Sequence, residues 1–538
     1  MKLWHLMMAS AVFLSSAGIS AAQAMPTPEE AHCMAVRGML IPPDKIGEPA
    51  RRAVVYSADL VKGDEAAGGG FCKVLGSVEP IDPKAPNINF QINLPLTWND
   101  KIIQYGGGGY DGTLIEAVKN VSFGSDAVKT PLQRGYVTFG SDSGHQSPSS
   151  LDGKFLLNDE ALANFGGLQI KKTHDVTMAV VESYYGRKPQ KSYIQGNSQG
   201  GHESLIAIQR WPADYDGAIV THPANPFSAL QLSGNYLAKA FYKNGAYLSP
   251  AKVELLNVAV TKACDKLDGV EDGLISNTAA CDATFKVEDL RCASGKDEGN
   301  SCLSDAQIAV LKTINTPYKS PVRLEDGIDG FPRWPIFQGG DLYGLWSFGS
   351  SPDLTNPPTP FANFGLAVLA DPLIRYAIVR DPKFDTMTFD PTKYAKRVAQ
   401  VSRLIDANSA DLSAFEKRGG KMLLMHGTID FAISPYNTIS YYERVVKTMG
   451  AENVHGFMRF YLVPGFGHGS GKFIAAWDPL TALENWTEKG KAPENLVVSD
   501  AGKDGAGRTR PMCEYPSYPR YKDGATDPSK AENFECAK

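Results

Sequence analysis

The sequence predicts an α/β fold, a mostly parallel sheet with helices on its faces, split by one large insertion. Three observations predict it. Short β-rich runs alternate with helical stretches over about residues 87–220, the rhythm breaks over about 226–400, and it resumes afterwards. Alternation of this kind belongs to parallel sheets covered by crossover helices. One interrupted sheet domain explains the pattern better than the two to four serial domains that a 538-residue length would allow at about 150 residues each. No repeat of 20–50 residues is visible.

The first 24 residues stand apart from the fold. Lys2 gives a positive n-region, Leu6 to Ile19 an apolar h-region, and Ala22-Gln23-Ala24 an A-x-A cleavage site. The apolar run is short of the ~18–20 residues a membrane span needs. A cleaved secretion signal is therefore expected, with the mature chain starting near Met25 in a secreted or periplasmic setting. Eight cysteines follow it, and an even number in an exported chain reads as disulfides. Metal binding would call for C-x-x-C pairs or nearby histidines, and neither is present. Eight cysteines permit 105 pairings. Joining sequence neighbours gives Cys264 with Cys281, Cys292 with Cys302 and Cys513 with Cys536, which leaves Cys33 for Cys72. Hydrophobic residues make up 43% of the chain, which excludes a disordered polymer, and 54 Lys+Arg against 59 Asp+Glu leave no basic footprint for nucleic acid or an anionic membrane.

The first part of the sheet domain is expected over 25–225. Lys101 to Tyr105 is a strand running into four glycines, Gly106 to Gly109, and Gly135 to Gly140 is another. Ile170 to Tyr185 has helical spacing and stops at Gly186, and Ser192 to Gln195 is a strand. The insertion, 226–400, carries four of the cysteines with many prolines and aromatics, among them Trp334, Trp346 and Phe348. The second part of the domain, 401–538, has a strand at Lys421 to Met425, a helix at Tyr436 to Met449 closed by Gly450, and a strand at Met458 to Val463.

The strongest chemical signal is Gly196-Asn197-Ser198-Gln199-Gly200, a G-x-S-x-G between that Ser192 strand and an expected helix over Glu203 to Gln209. At such a turn small flanking residues let the serine Oγ stand clear at the carboxyl end of a sheet, and the next backbone N–H helps hold an oxyanion. A glycine-rich turn without chemistry would read the same in isolation. The serine needs a base and the base an orienting acid. His468, in Val463-Pro464-Gly465-Phe466-Gly467-His468-Gly469, follows a strand, and Asp430 follows the strand ending at Met425. Each alone could be a surface histidine or a turn-capping aspartate. Together they give the order Ser, Asp, His at strand ends, which is that of an α/β-hydrolase.

These segments resemble the tannase and feruloyl esterase family. The resemblance rests on G-N-S-Q-G-G, H-G-T-I-D-F-A-I-S-P and V-P-G-F-G-H, and continues in Ser141 to His145, Tyr185 to Arg187, Tyr215 to Gly217 and Trp486 to Pro493, so it covers most of the mature chain. It implies an α/β-hydrolase with a lid inserted between nucleophile and acid, matching 226–400. It also implies Ser198 as nucleophile, Asp430 as orienting acid and His468 as base, with the amide of Gln199 and one from Gly107 to Gly109, taken as Gly108, forming the oxyanion hole. One departure stands out. Most of the family carries a cysteine directly before the serine and another directly after the histidine, joined by a disulfide; here those positions are Asn197 and Gly469. Hydrogen bonding by the Asn197 carboxamide could replace that tie.

A second motif lies in the insertion, Cys264-Asp265-Lys266-Leu267-Asp268-Gly269-Val270-Glu271-Asp272-Gly273-Leu274. Clustered aspartates with interleaved glycines can aim hard oxygens at one point, as Ca2+ requires. This is no EF-hand, since Ser276 stands where the bidentate glutamate belongs. A solvated acidic turn is the plain alternative. The resemblance implies a structural calcium site, with carboxylates from Asp265, Asp268 and Asp272 and backbone carbonyls from Val270 and Leu274.

His145, His174 and His202 are expected to be structural. Trp346 or Phe348 would line an aromatic-acyl pocket, although such residues more often pack inside a lid, and Arg333 and Arg375 have no assignable role. The expected protein is an exported serine esterase of aromatic carboxylic esters, of feruloyl, galloyl, chlorogenate or terephthalate-monoester type. Its expected partner is a small ester. A general serine esterase, lipase or peptidase remains open, as does a hydrolase-fold binding protein without chemistry. The oligomeric state is not encoded in any pattern found.

Overall fold

The computed structural model describes residues 26–62, 69–243, 245–505 and 507–538. The expected secretion signal lies outside the described residues. A ten-stranded mixed sheet forms the centre. Its strands are β1 (Leu40–Ile41), β2 (Arg52–Val61), β3 (Phe71–Glu79), β4 (Ile88–Pro95), β5 (Lys101–Tyr105), β6 (Val137–Ser141), β7 (Lys191–Asn197), β8 (Gly217–Thr221), β9 (Lys421–Gly427) and β10 (Met458–Val463), in the order β1-β2-β3-β4-β6-β5-β7-β8-β9-β10. The β6-to-β10 half is parallel and the β1-to-β4 half is antiparallel. The antiparallel half lies mostly before the region of clear α/β alternation. Its strands pair as hairpins without crossover helices, so they lack the αβ rhythm that marks the rest.

Strand β7 is buried along Ser192 to Gly196 because helices cover both faces of the parallel half. Helix α1 (Gln169–Tyr185) ends where Gly186 adopts φ 70°, the left-handed cap that glycine takes without a Cβ penalty. Helix α2 (Gln199–Arg210) starts four residues earlier than Glu203. Local propensity disfavours Gly200 and Gly201 inside a helix, but close backbone packing wins. A methyl group on Gly200 would lie 2.9 Å from the Gly107 carbonyl oxygen, and one on Gly201 2.4 Å from that of Thr221.

Between β8 and β9 the chain builds helices α3 (Phe227–Phe241), α4 (Pro250–Cys264) and α5 (Ala395–Ile405) among short turns. This stretch has its own aromatic core, in which Phe348 is 1% exposed and packs on Phe241, Phe364 and Phe431, while Trp334 packs on Phe331 and Phe431. Helix α6 (Pro435–Met449) opens with Ser434 capping and Pro435 at its first position, and follows β9 as expected. The disulfides are Cys33–Cys72, Cys264–Cys281, Cys292–Cys302 and Cys513–Cys536, the neighbour pairing. Among the described residues no helix is long and apolar enough to cross a membrane.

Candidate active site

Open parallel sheets present their functional groups beyond the carboxyl ends of the strands. Here Gly106 follows β5, Ser198 follows β7, His222 follows β8, Asp430 follows β9 and His468 follows β10, all on that edge. Ser198 has φ 62° and ψ −120°, a strained conformation for a residue with a side chain. It is held there by its own amide donating to Thr221 O at 3.0 Å and by its carbonyl accepting from His202 N at 3.0 Å. The crossing is tight: a methyl group on Gly196 would sit 2.3 Å from the Gly200 carbonyl, so the turn admits only glycine there. Ser198 Oγ makes no hydrogen bond among the described residues and opens into a cavity of about 480 Å3 that His468 also lines.

Asp430 is fully buried, and its Oδ2 lies 2.8 Å from His468 Nδ1. Its Oδ1 accepts from the amides of Ala432 at 2.7 Å and Ile433 at 3.0 Å, which fixes the carboxylate plane. Burial works to raise its pKa, but His468, His426 and His222 around it outweigh burial and hold it well below the usual carboxylate range. An ionised Asp430 takes the Nδ1 proton of His468 as a hydrogen bond and leaves Nε2 free to accept one.

The glycine strand supplies donors. Gly107 N–H is already bound to Glu203 Oε2 at 2.8 Å, and Gly107 O accepts from Gly200 N at 3.0 Å. A trans peptide sets its N–H opposite its C=O, so the Gly108 N–H points away from α2 towards the cavity, whose wall Gly108 and Gln199 share. Gln199 N is the first amide of α2 and has no intrahelical acceptor. Of the three glycine amides weighed, Gly107's is thus already in use.

Asn197, at the position of the missing cysteine, does form hydrogen bonds, but not to the His468 loop. Its Oδ1 accepts from His222 Nδ1 at 2.8 Å and Thr221 Oγ1 at 3.2 Å. His222 Nε2 accepts from Gly427 N at 3.0 Å, and its ring lies 5.4 Å from that of His468. Burial lowers the His222 pKa well below normal, with His426 adding to it, so it stays neutral between its two partners. His426, 3.2 Å from Asp430 Oδ2 and 3.0 Å from Ile433 O, completes the surround. His222 lies in no quoted motif, and His426 opens H-G-T-I-D-F-A-I-S-P, where the aspartate and not the histidine draws the chemical reading.

The cavity wall is apolar at Ala224, Phe227, Leu230, Leu345, Leu369 and Ile433. Trp346 borders it, its ring 5.3 Å from that of His468, whereas Phe348 does not: it is buried in the aromatic core of the insertion. No lysine or arginine lines the cavity among the described residues. Arg333 is paired with Asp282 and Arg375 with Asp371, both away from it. His202 bonds Gln199 Oε1 and Ile405 O, His174 lies beside Asp175, and His145 stacks on Phe155.

In the acidic loop every donor is oxygen, the set a hard cation takes. Asp265 accepts from Gly273 N, Asp268 from Ser276 N and Asp272 from Leu274 N, and Arg510 pairs with Asp272. Burial raises Asp268 to about 6, with Asp272 adding repulsion, so one guanidinium does not balance the cluster. The donor chemistry suits the ion, but among the described residues Asp265, Asp268 and Asp272 do not converge as a three-carboxylate group able to hold one. Leu274 of this loop is fully buried against the histidine loop: a methyl group on Gly465 would meet its Cδ2 at 2.5 Å.

A family model described as tannase and feruloyl esterase matches residues 72–537. An uncharacterised esterase of Agrobacterium fabrum is 40% identical over 540 residues, covering 98% of this chain and 97% of that protein. The mono(2-hydroxyethyl) terephthalate hydrolase of Piscinibacter sakaiensis is 31% identical over 519 residues, covering 87% and 84%. Among solved structures, feruloyl esterase B from Aspergillus oryzae superposes with a TM-score of 0.77 at 23% identity, over 94% of this chain and 100% of that one, and bears on the fold alone. That fold is the α/β-hydrolase.

Proposed function

The chain belongs to the tannase and feruloyl esterase family and is a carboxylic ester hydrolase, and from that premise we propose that it is an exported serine esterase acting on aromatic carboxylic esters through an acyl-enzyme. One observation carries the mechanism: His468, bonded at 2.8 Å to the buried Asp430, lines the same cavity as a serine held in a strained turn. Ser198 Oγ attacks the ester carbonyl carbon as His468 Nε2 takes its proton, with Asp430 holding the imidazolium. The Gln199 and Gly108 amides stabilise the tetrahedral oxyanion. His468 returns the proton to the departing alcohol. Water deprotonated by the same imidazole then attacks the acyl-enzyme and frees the acid.

The apolar wall with Trp346 and Phe227 supports an aromatic acyl group, and the lack of a lining cation supports one without a second carboxylate. Feruloyl- and galloyl-type esters fit better than a terephthalate monoester, whose free carboxylate would be desolvated unpaired. The stretch 226–400 serves as the lid, and its acidic loop holds a structural Ca2+ through Asp265, Asp268, Asp272 and the carbonyls of Val270 and Leu274. Four disulfides support export, since such bonds persist in oxidising compartments.

The test is mature protein with calcium, offered methyl ferulate, chlorogenate, methyl gallate, mono(2-hydroxyethyl) terephthalate and a p-nitrophenyl ester, beside Ser198→Ala. Turnover of a feruloyl or galloyl ester, lost by about 10^5-fold or more in the variant, is expected. Turnover of the p-nitrophenyl ester alone would sink the aromatic reading, and Ser198-independent turnover would sink the mechanism.

A further inference from the structure

Two carboxyl groups that the hydrolytic steps do not use lie against the glycine strand. Asp111 and Glu203 are 5% and 1% exposed, and Asp111 lines the cavity. Glu203 stands on α2 one turn after Gln199; its Oε2 accepts from Gly107 N and its Oε1 from Gln169 Nε2, both at 2.8 Å. Asp111 closes on the same peptide from the other side, where a methyl group on Gly107 would fall 2.1 Å from its Oδ1. Both Asp111 oxygens are buried without a hydrogen-bond donor in bonding geometry. The polar groups that face them are the Gly108 N–H, the Ser143 hydroxyl and the Glu203 carboxyl; Gln169 and Gln199 face Glu203, and no cation faces either.

A buried carboxylate pair with neither a cation nor enough donors has one economical solution, a proton held between the two groups. We propose that Asp111 and Glu203 share one proton, and that this proton keeps negative charge off the Gly108 amide so that the amide can serve the oxyanion. The inference rests on the reading of Gly108 and Gln199 as oxyanion donors. With the proton in place, Glu203 fixes Gly107 and Asp111 is neutral beside Gly108. When the proton leaves to hydroxide, Asp111 carries a charge next to the site where the substrate oxygen becomes negative, attracting the Gly108 N–H and opposing that charge. Burial raises both groups, Glu203 to about 7 and Asp111 well above the usual carboxylate range, with Glu203 adding to the rise at Asp111. The pair titrates as a unit, so its second proton leaves on the alkaline side. The two are positioning residues, since neither touches the reacting atoms.

The experiment pairs infrared spectroscopy with steady-state kinetics from pH 7 to 10. Wild-type protein at pH 7 is expected to show a protonated-carboxyl C=O band, sensitive to deuterium exchange, that Asp111→Asn lacks. Glu203→Gln gives Asp111 an amide donor and favours its ionised form, so kcat should fall about 10^2-fold, the scale of one oxyanion donor, with KM nearly unchanged. Asp111→Asn, which keeps a neutral donor towards Glu203, should lose about tenfold less than that and show no alkaline fall. Labelling of Ser198 by a fluorophosphonate counts correctly folded sites in each variant. Absence of the band in wild type, a band that disappears while kcat holds, or a Glu203→Gln enzyme with full kcat would each overturn the proposal. The infrared result does not depend on which ester is the substrate, so it separates failure of the pair from failure of the substrate assignment.

Discussion

The nucleophile turn and the histidine loop meet in one cavity but are held in different ways. Ser198 sits at the centre of the sheet, between β5 and β8, and its conformation is set by backbone contacts: Gly196 against Gly200, and the Ser198 amide on Thr221 O of the neighbouring strand. His468 lies beyond β10, the edge strand, in a loop with backbone bonds of its own, Gly467 N to Ser470 O at 2.8 Å and Phe473 N to Gly465 O at 3.1 Å, and with side chains from distant segments packed around it. Asp430 bonds its ring, Asp341 from the insertion takes a short hydrogen bond from Ser470, Leu274 of the acidic loop fills the space beside Gly465, and Phe466 packs on His222. A turn fixed by its own backbone tolerates changes around it. A loop that also leans on borrowed side chains is open to more single substitutions, and so the histidine loop, not the serine turn, is where this cavity should prove fragile.

The largest effect should come from the nearest lender. Asp430→Asn keeps the shape but offers an amide, so the histidine loses its orienting acceptor and adopts the wrong tautomer. A fall in kcat of about 10^4-fold with KM within about threefold is expected on a p-nitrophenyl ester. A loss below about tenfold would mean that His426 and His222 can orient the base alone, and the contrast between the two loops would dissolve.

The same contrast explains what could be read before the structure. G-N-S-Q-G-G is legible because one six-residue segment between a strand and a helix carries both the serine and the small residues its turn needs. Asp430 and His468 are legible by order and position at strand ends, and the strand Met458–Val463 falls where its β-rich run predicts. The supports of His468 are not legible. His222, His426, Asp341 and Leu274 are spread over two parts of the sheet domain and the insertion, and only the crossover topology gathers them. Phe348 was indistinguishable from Trp346 by composition, two aromatics two positions apart, yet one faces His468 and the other a lid core. Asp111 and Glu203 carry no motif either, because buried carboxyl pairs are recognised by what surrounds them.

A smaller effect should come from removing calcium. If the proposed ion binds only the folded loop, an excess of about a hundredfold over its Kd contributes about 2.7 kcal/mol to stability. Because Leu274 wedges the histidine loop, chelation should lower kcat along with the unfolding midpoint, and calcium should restore both. A midpoint that falls while kcat is unchanged would show the acidic loop to be a staple for the insertion only. No change in either would remove the ion from this protein.

The smallest effect tests the cavity wall. Trp346 comes from the insertion and stands edge-on to His468 at an interplanar angle of 81°. It is half-buried, so truncation leaves little void in the lid core and should cost little stability. What it removes is an apolar face for the acyl ring, worth about 1.5 kcal/mol when covered by substrate. Trp346→Ala should therefore raise KM about tenfold for a feruloyl or galloyl ester and much less for an acetyl ester, with kcat on the acetyl ester preserved. Equal losses on both would mean that the indole acts by holding His468 and not by receiving the ring. Trp346 would then join Asp430, Asp341 and Leu274 around the histidine loop, and aromatic selectivity would have to come from Phe227 and the other residues of α3 that line the cavity.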